Sequence, residues 1–145
     1  MVIRRLYVLY DWQCGICSGL RSWIQNQPAF VQFDFVPAGS PRAQRLFPTL
    51  SQGGTPSELV VITDSGAVYA DNDAWILCLW GLREYRDWSY RLARGVLRPF
   101  ARAAWDFLST NRLQLASMMA LKSDAEVAGE LAQRPGVTCD TQMTR

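Results

Sequence analysis

Cys14 and Cys17, three residues apart in the stretch Asp-Trp-Gln-Cys-Gly-Ile-Cys from Asp11 to Cys17, are the side chains whose types and spacing could do chemistry. The stretch follows an apolar, β-prone run from Ile3 to Tyr10 and precedes a helix-like segment. A dithiol at a strand-to-helix turn points to redox exchange, because two sulfurs one helical turn apart can close a disulfide between themselves. The first sulfur falls where unpaired backbone N–H groups and the helix dipole favour an anion. A free thiol with a pKa near 8.5 is only about 3% thiolate at pH 7, and lowering the value to about 7 makes roughly half of it reactive. A helix N-terminus supplies about 0.3–1 kcal/mol, up to ~2 when partly buried, which is about one pKa unit. Cys14 is therefore the expected nucleophile and Cys17 the resolving thiol. Cys17 shares a helical face with Ile16, Leu20, Trp23 and Ile24 and is expected to be the less accessible of the two.

The rest of the composition narrows the chemistry. The chain has 145 residues, 49% hydrophobic and 19% charged, an ordinary size for one domain with a modest tail. It contains no histidine, which removes Cys-His and Ser-His nucleophile pairs and His-containing zinc sites. A zinc site built on the dithiol would need both remaining thiols, Cys78 in a helix-like apolar run and Cys139 on a polar tail, so no metal and no cofactor is expected. A net charge of +2 is too mild to argue for nucleic acid. No cleavable leader and no run of about 20 apolar residues is apparent, so no membrane span is expected and the cytosol is the expected compartment. In the cytosol a close cysteine pair is more often catalytic or metal-binding than a structural disulfide.

The elements that must position the dithiol follow from periodicity. Arg4 to Tyr10 is expected as a buried strand, Cys14 to Asn26 as a helix closed by Pro28, and Val31 to Val36 as a strand ended by Pro37 and Gly39. Strand, helix and strand in this order make a βαβ unit with parallel strands. Ser40 to Phe47 is a short helix candidate. Leu59 to Thr63 and Ala67 to Ala70 flank the turn Asp64-Ser65-Gly66 as a hairpin. Asp71, Asn72 and Asp73 offer N-caps for a buried helix from Ala74 to Leu82, with Cys78 as a small core hydrophobe. Asp87 to Leu97 and Pro99 to Thr110 are two further helices rich in arginine and aromatic residues, expected to present a solvated face. Ser123 to Glu126 is a capping box opening a helix to about Gln133, and the polar tail from Thr138 is expected to fray.

The segments Tyr10-Asp11 through Cys14 and Cys17, Phe35-Val36-Pro37, Leu59-Val60-Val61 with the Gly66 turn, Asp73-Ala74 and Asn111-Arg112 arrive in the order that resembles the DCC family of thiol-disulfide oxidoreductases, also called DUF393. The likeness covers about residues 6 to 113, and the Asp-x-x-Cys-x-x-Cys signature is its specific part. It implies an α/β, thioredoxin-like fold, with a central mixed sheet of about four strands flanked by helices and extra C-terminal helices. Residues 1–113 would form that domain and residues 114–145 a C-terminal helix and tail. It also implies dithiol oxidoreductase activity resting on Asp11, Cys14 and Cys17. Trp12 and Gln13 depart from the family's usual Asp-Gly-Asp-Cys start, and losing a carboxylate next to Cys14 should ease thiolate formation. Folds of this kind generally place a cis-proline opposite the dithiol, for which Thr55-Pro56 is the nearby candidate.

The expected function is exchange of disulfides with a protein or small-molecule thiol partner. Trp12, Gln13, Gly15 and Ile16 around the sulfurs, with Thr55 and Pro56 opposite, are the expected substrate contacts, and Trp12 and Trp75 are candidates for an apolar rim. Asp11 either accepts a proton from Cys17 or caps the helix through its carboxylate. The alternatives are a redox-inert binding module on the same scaffold and a structural zinc-binding domain.

Overall fold

The strand before the dithiol forms over Arg5–Tyr10 (β1) in the computed structural model, which describes residues 2–51 and 59–133. Thr55, Pro56 and Cys139 lie outside the described residues, as does the tail from Thr138. β1 is an interior strand. It pairs in parallel with Gln32–Pro37 (β2), with Arg5 opposite Gln32 and Tyr10 opposite Pro37, and antiparallel with Val60–Thr63 (β3), with Leu6 opposite Thr63. Val68–Ala70 (β4) completes the order β2-β1-β3-β4 by an antiparallel pairing with β3. The hairpin between β3 and β4 turns at Gly66, whose φ of 89° an L side chain rarely adopts. This mixed four-stranded sheet is that of a thioredoxin-like fold.

Alternation along β1 divides the molecule into layers. Leu6 and Val8 point with Val61 to a face covered by Gly15–Gln25 (α1) and Asp71–Gly81 (α4), where they meet Ile24, Ala74, Cys78 and Leu82 in the main core. Burying each of the larger side chains contributes about 1.5–3 kcal/mol. Trp23 and Trp75 bring α1 and α4 together with ring centroids 6.2 Å apart. Tyr7 faces the other way and meets Phe47 edge-on at 5.4 Å, where Pro41–Leu46 (α2) and the short Pro48–Ser51 (α3) follow β2. Ser40 caps α2 by accepting a hydrogen bond from the Ala43 N–H at 3.2 Å.

Three elements differ from the sequence-based expectation. Helix α4 starts at Asp71, without a side-chain cap from Asp71, Asn72 or Asp73. The Asp71 N–H donates to the Leu59 carbonyl at 3.0 Å, so β4 is tied to β3 up to the residue where the helix begins, and no loop remains in which a cap could form. The expected helix from Asp87 to Leu97 is divided into Arg86–Ala93 (α5) and a 3-10 turn at Gly95–Leu97, because Gly95 adopts φ 58°. The next helix runs on from Arg98 to Met118 (α6), well past Thr110. Asn111 does not stop it, since its side-chain amide donates back to the Phe107 carbonyl at 2.9 Å, and Ala116 beyond it is buried.

Asp124–Gln133 (α7) opens on the expected capping box: Ser123 N–H donates to Glu126 Oε2 and Glu126 N–H to Ser123 Oγ, both at 3.1 Å. Among the described residues no helix is long and apolar enough to cross a membrane.

Candidate functional site

The dithiol turn is built by Asp11. Its carbonyl accepts the Cys14 N–H at 3.2 Å and its Oδ1 accepts the Gln13 N–H at 3.0 Å, folding the chain back at the end of β1. The carboxylate therefore closes the turn that precedes the helix, where the sequence suggested a cap on the helix itself. The capping position belongs to Cys14, which has extended backbone angles of φ −93° and ψ 120° and whose carbonyl accepts the Ser18 N–H at 3.0 Å. Cys14 thus stands at the positive end of α1, as the spacing predicts.

Both sulfurs are free thiols, and they titrate in opposite directions. Cys14 is lowered to about 6, chiefly because the Cys17 thiol donates a hydrogen bond to its sulfur; burial opposes this, while the first-turn N–H groups of Cys17 and Ile16 and the charge of Arg112 add to it. Cys17 is raised, first by that same hydrogen bond, then by burial and by the negative charge forming on Cys14. The pair behaves as one acid, with Cys14 as thiolate and Cys17 keeping the shared proton.

Burial within the pair is the reverse of the expectation. Cys14 is 0% exposed, whereas Cys17, expected to be the hidden thiol, is only partly buried. The cover over the start of α1 comes from the far end of the chain. The Leu121 carbonyl lies so close to Gly15 that a Cβ there would stand 2.6 Å from its oxygen, and the Ala125 N–H donates to the Trp12 carbonyl at 3.3 Å. Asp124 latches this arm to the body of the fold. Its carboxylate accepts from Tyr10 Oη at 2.9 Å and pairs with Arg21 at 3.0 Å, and its N–H donates to Ser18 Oγ at 3.0 Å. Periodicity could place α7 as a helix but not on the dithiol, because nothing local in Ser123 to Glu126 encodes its partner.

Cys17 looks into an apolar cavity of about 60 Å³ between α1, α6 and the sheet, with Ile16, Leu20, Phe35, Trp105 and Arg112 in its wall. Arg112 reaches this place from α6 and pairs with Asp11 Oδ2 at 3.4 Å, both side chains being mostly buried. Sequence reasoning assigned the arginines of this region to a solvated face. Only the recurrence of Asn111-Arg112 in the family pattern marked this one.

Of the other expected site residues, Gly15 is buried under the arm, Ile16 is half-buried, and Trp12 and Gln13 are exposed beside the dithiol. Trp12, at 41% exposure, suits a rim, whereas Trp75 is packed against the core beside Trp23. Cys78 lies in α4 at 0% exposure among core side chains, away from the pair. Among the described residues no three Cys, Asp or Glu side chains converge to hold a metal ion.

No curated protein and no solved structure gives a match to this chain. The family description DCC1-like thiol-disulfide oxidoreductase matches residues 8–118, which takes in the end of β1, the other three strands, the dithiol and Arg112. With the dithiol at the start of α1 in a thioredoxin-like sheet, the chain belongs to the DCC1-like thiol-disulfide oxidoreductase family.

Proposed function

We propose that the chain exchanges two electrons with a disulfide- or thiol-containing partner through Cys14 and Cys17, in a reducing compartment such as the cytosol. The observation that supports this most directly is the unequal pair: one sulfur favoured as thiolate at a helix N-terminus, and its neighbour held protonated as a donor to it. The Cys14 thiolate attacks one sulfur of the partner disulfide, forming a mixed disulfide and releasing the other sulfur as a thiolate that takes a proton from water. Cys17 then loses its proton and attacks the Cys14 sulfur. The second partner thiol leaves, the partner is reduced by two electrons, and Cys14 and Cys17 are left as a disulfide. Asp11, whose charge acts on Cys17, is the carboxylate that would receive its proton. Trp12 and Gln13 are the exposed residues a partner would meet first.

Exchange on this route requires the Cys14 sulfur, 0% exposed, to be uncovered, and the arm from Leu121 to Ala125, seated on Gly15 and Trp12 on either side of it, is the neighbouring segment whose lifting would do so. The same burial favours one competing reading, a thioredoxin-like binding module whose pair is inert. Trapping separates the two. A Cys17→Ser variant should accumulate mixed disulfides on Cys14, released by reductant and absent in Cys14→Ser/Cys17→Ser. Failure to trap any partner, together with no reaction of native Cys14 with a small aromatic disulfide at pH 7, would leave the inert module.

A further inference from the structure

We propose that Arg112 is a positioning residue for the dithiol: from α6 it holds Asp11 in the turn before Cys14 and offsets the Asp11 charge where the Cys14 thiolate must form. The inference rests on the exchange reading above and adds a residue to it.

The geometry carries it through Asp11, which has three duties in one turn. Its carbonyl holds the Cys14 N–H, its Oδ1 holds the Gln13 N–H, and its Oδ2 meets Arg112. The carboxylate that shapes the turn is thereby a negative charge at the dithiol, near enough to act on Cys17, the thiol that shares its proton with Cys14. Unopposed, it would disfavour the thiolate.

Two ion pairs flank the dithiol. Asp124 from α7 takes Arg21 of α1 and the Tyr10 hydroxyl of β1, so this trio adds no net charge. Asp11 takes Arg112 in the same way. The ion pair is one-quarter exposed or less on both sides, with Arg112 at 23% and Asp11 at 19%, so water screens it weakly. Arg112 also lines the cavity into which Cys17 looks, which puts its charge within reach of both sulfurs. An arginine suits the place because its guanidinium stays charged and can serve Asp11 with one face while leaving its other donors for neighbours.

The test is the rate at which iodoacetamide alkylates Cys14 as a function of pH in the full chain, with the site read by mass spectrometry. Wild type should show a midpoint near 6. In R112Q the unopposed Asp11 carboxylate should raise the midpoint by about 0.5–1 unit, a roughly two- to fivefold slower reaction at pH 6. R112K should restore most of the difference, D11N should lower the midpoint below wild type, and D11N/R112Q should return close to it because both charges leave together. An R112Q midpoint equal to that of wild type overturns the proposal. So does a double variant shifted as far as R112Q. If R112Q does not fold, D11N against D11N/R112Q decides: a lower midpoint in D11N supports the role of Arg112, and equal midpoints overturn it. Alkylation needs no turnover, so a failed Cys17→Ser trap would remove the exchange reading while leaving the role of Arg112 in thiolate formation measurable.

Discussion

Cys14 and Cys78 are both 0% exposed, yet burial has opposite outcomes for them. Cys78 sits mid-helix in α4, where every backbone N–H is committed to the helix, and burial alone pushes its thiol up to about 12. Cys14 sits at the start of α1, where the Cys17 thiol, two N–H groups and the charge of Arg112 all favour the anion, and its thiol falls to about 6 although burial opposes it. Depth therefore does not decide whether a cysteine is reactive. What decides is whether unspent donors face the sulfur, here the Cys17 thiol first and then the free N–H groups of the first helical turn.

The comparison breaks most visibly in a direct competition. At pH 7 in the native protein, Cys14 should be about nine-tenths thiolate and Cys78 less than one part in ten thousand, so alkylation followed by peptide mapping should label Cys14 and leave Cys78 unmodified until the chain is denatured. Comparable labelling of the two would show that donors at the helix start count for nothing here. The pH dependence has a definite sign: Cys14 is protonated and slow below about 6, and its rate climbs to a plateau above it. Removing the largest single donor should be the next strongest perturbation. Cys17→Ala should raise the Cys14 midpoint by about 1–2 units, whereas Cys17→Ser, which retains an O–H donor, should raise it less. A Cys17→Ala midpoint still near 6 would shift the credit to the helix terminus and Arg112. Unlatching the arm acts on access rather than on acidity. Asp124→Ala removes the carboxylate that holds Tyr10 and Arg21, and should increase Cys14 alkylation about tenfold without moving its midpoint, since a lost charge-assisted hydrogen bond is worth about 1.5–3 kcal/mol. An unchanged rate would mean that the arm does not control access.

Much of this architecture was legible in the residues. The alternation of β1 and β2, the Gly66 turn and the Ser123 to Glu126 box are local signals, and each formed where its chemistry placed it. The dithiol at a helix start was legible for the same reason. What escaped was long-range. Leu121 to Ala125 fold back onto Gly15 and Trp12 beside the buried Cys14, and helical periodicity around Cys17 carries no information about that visitor. Arg112 was similarly hidden among several arginines of like spacing, because its meaning comes from Asp11 at the other end of the fold. The missing caps of α4 are a third case, in which pairing with β3 overrode a local preference of Asp and Asn.

The close approach of the Leu121 carbonyl to Gly15 also limits how this family member can change. The two positions between the sulfurs are where a substitution most directly alters the pair's surroundings. One of them is closed to every side chain while the arm stays down, since even a methyl group would collide with a backbone oxygen that cannot rotate away. A mutation at Gly15 would therefore alter access and thiol chemistry together, and could not tune one without disturbing the other. Independent adjustment is left to Ile16, which is only half-buried, and to the Arg112 and Asp11 pair behind it.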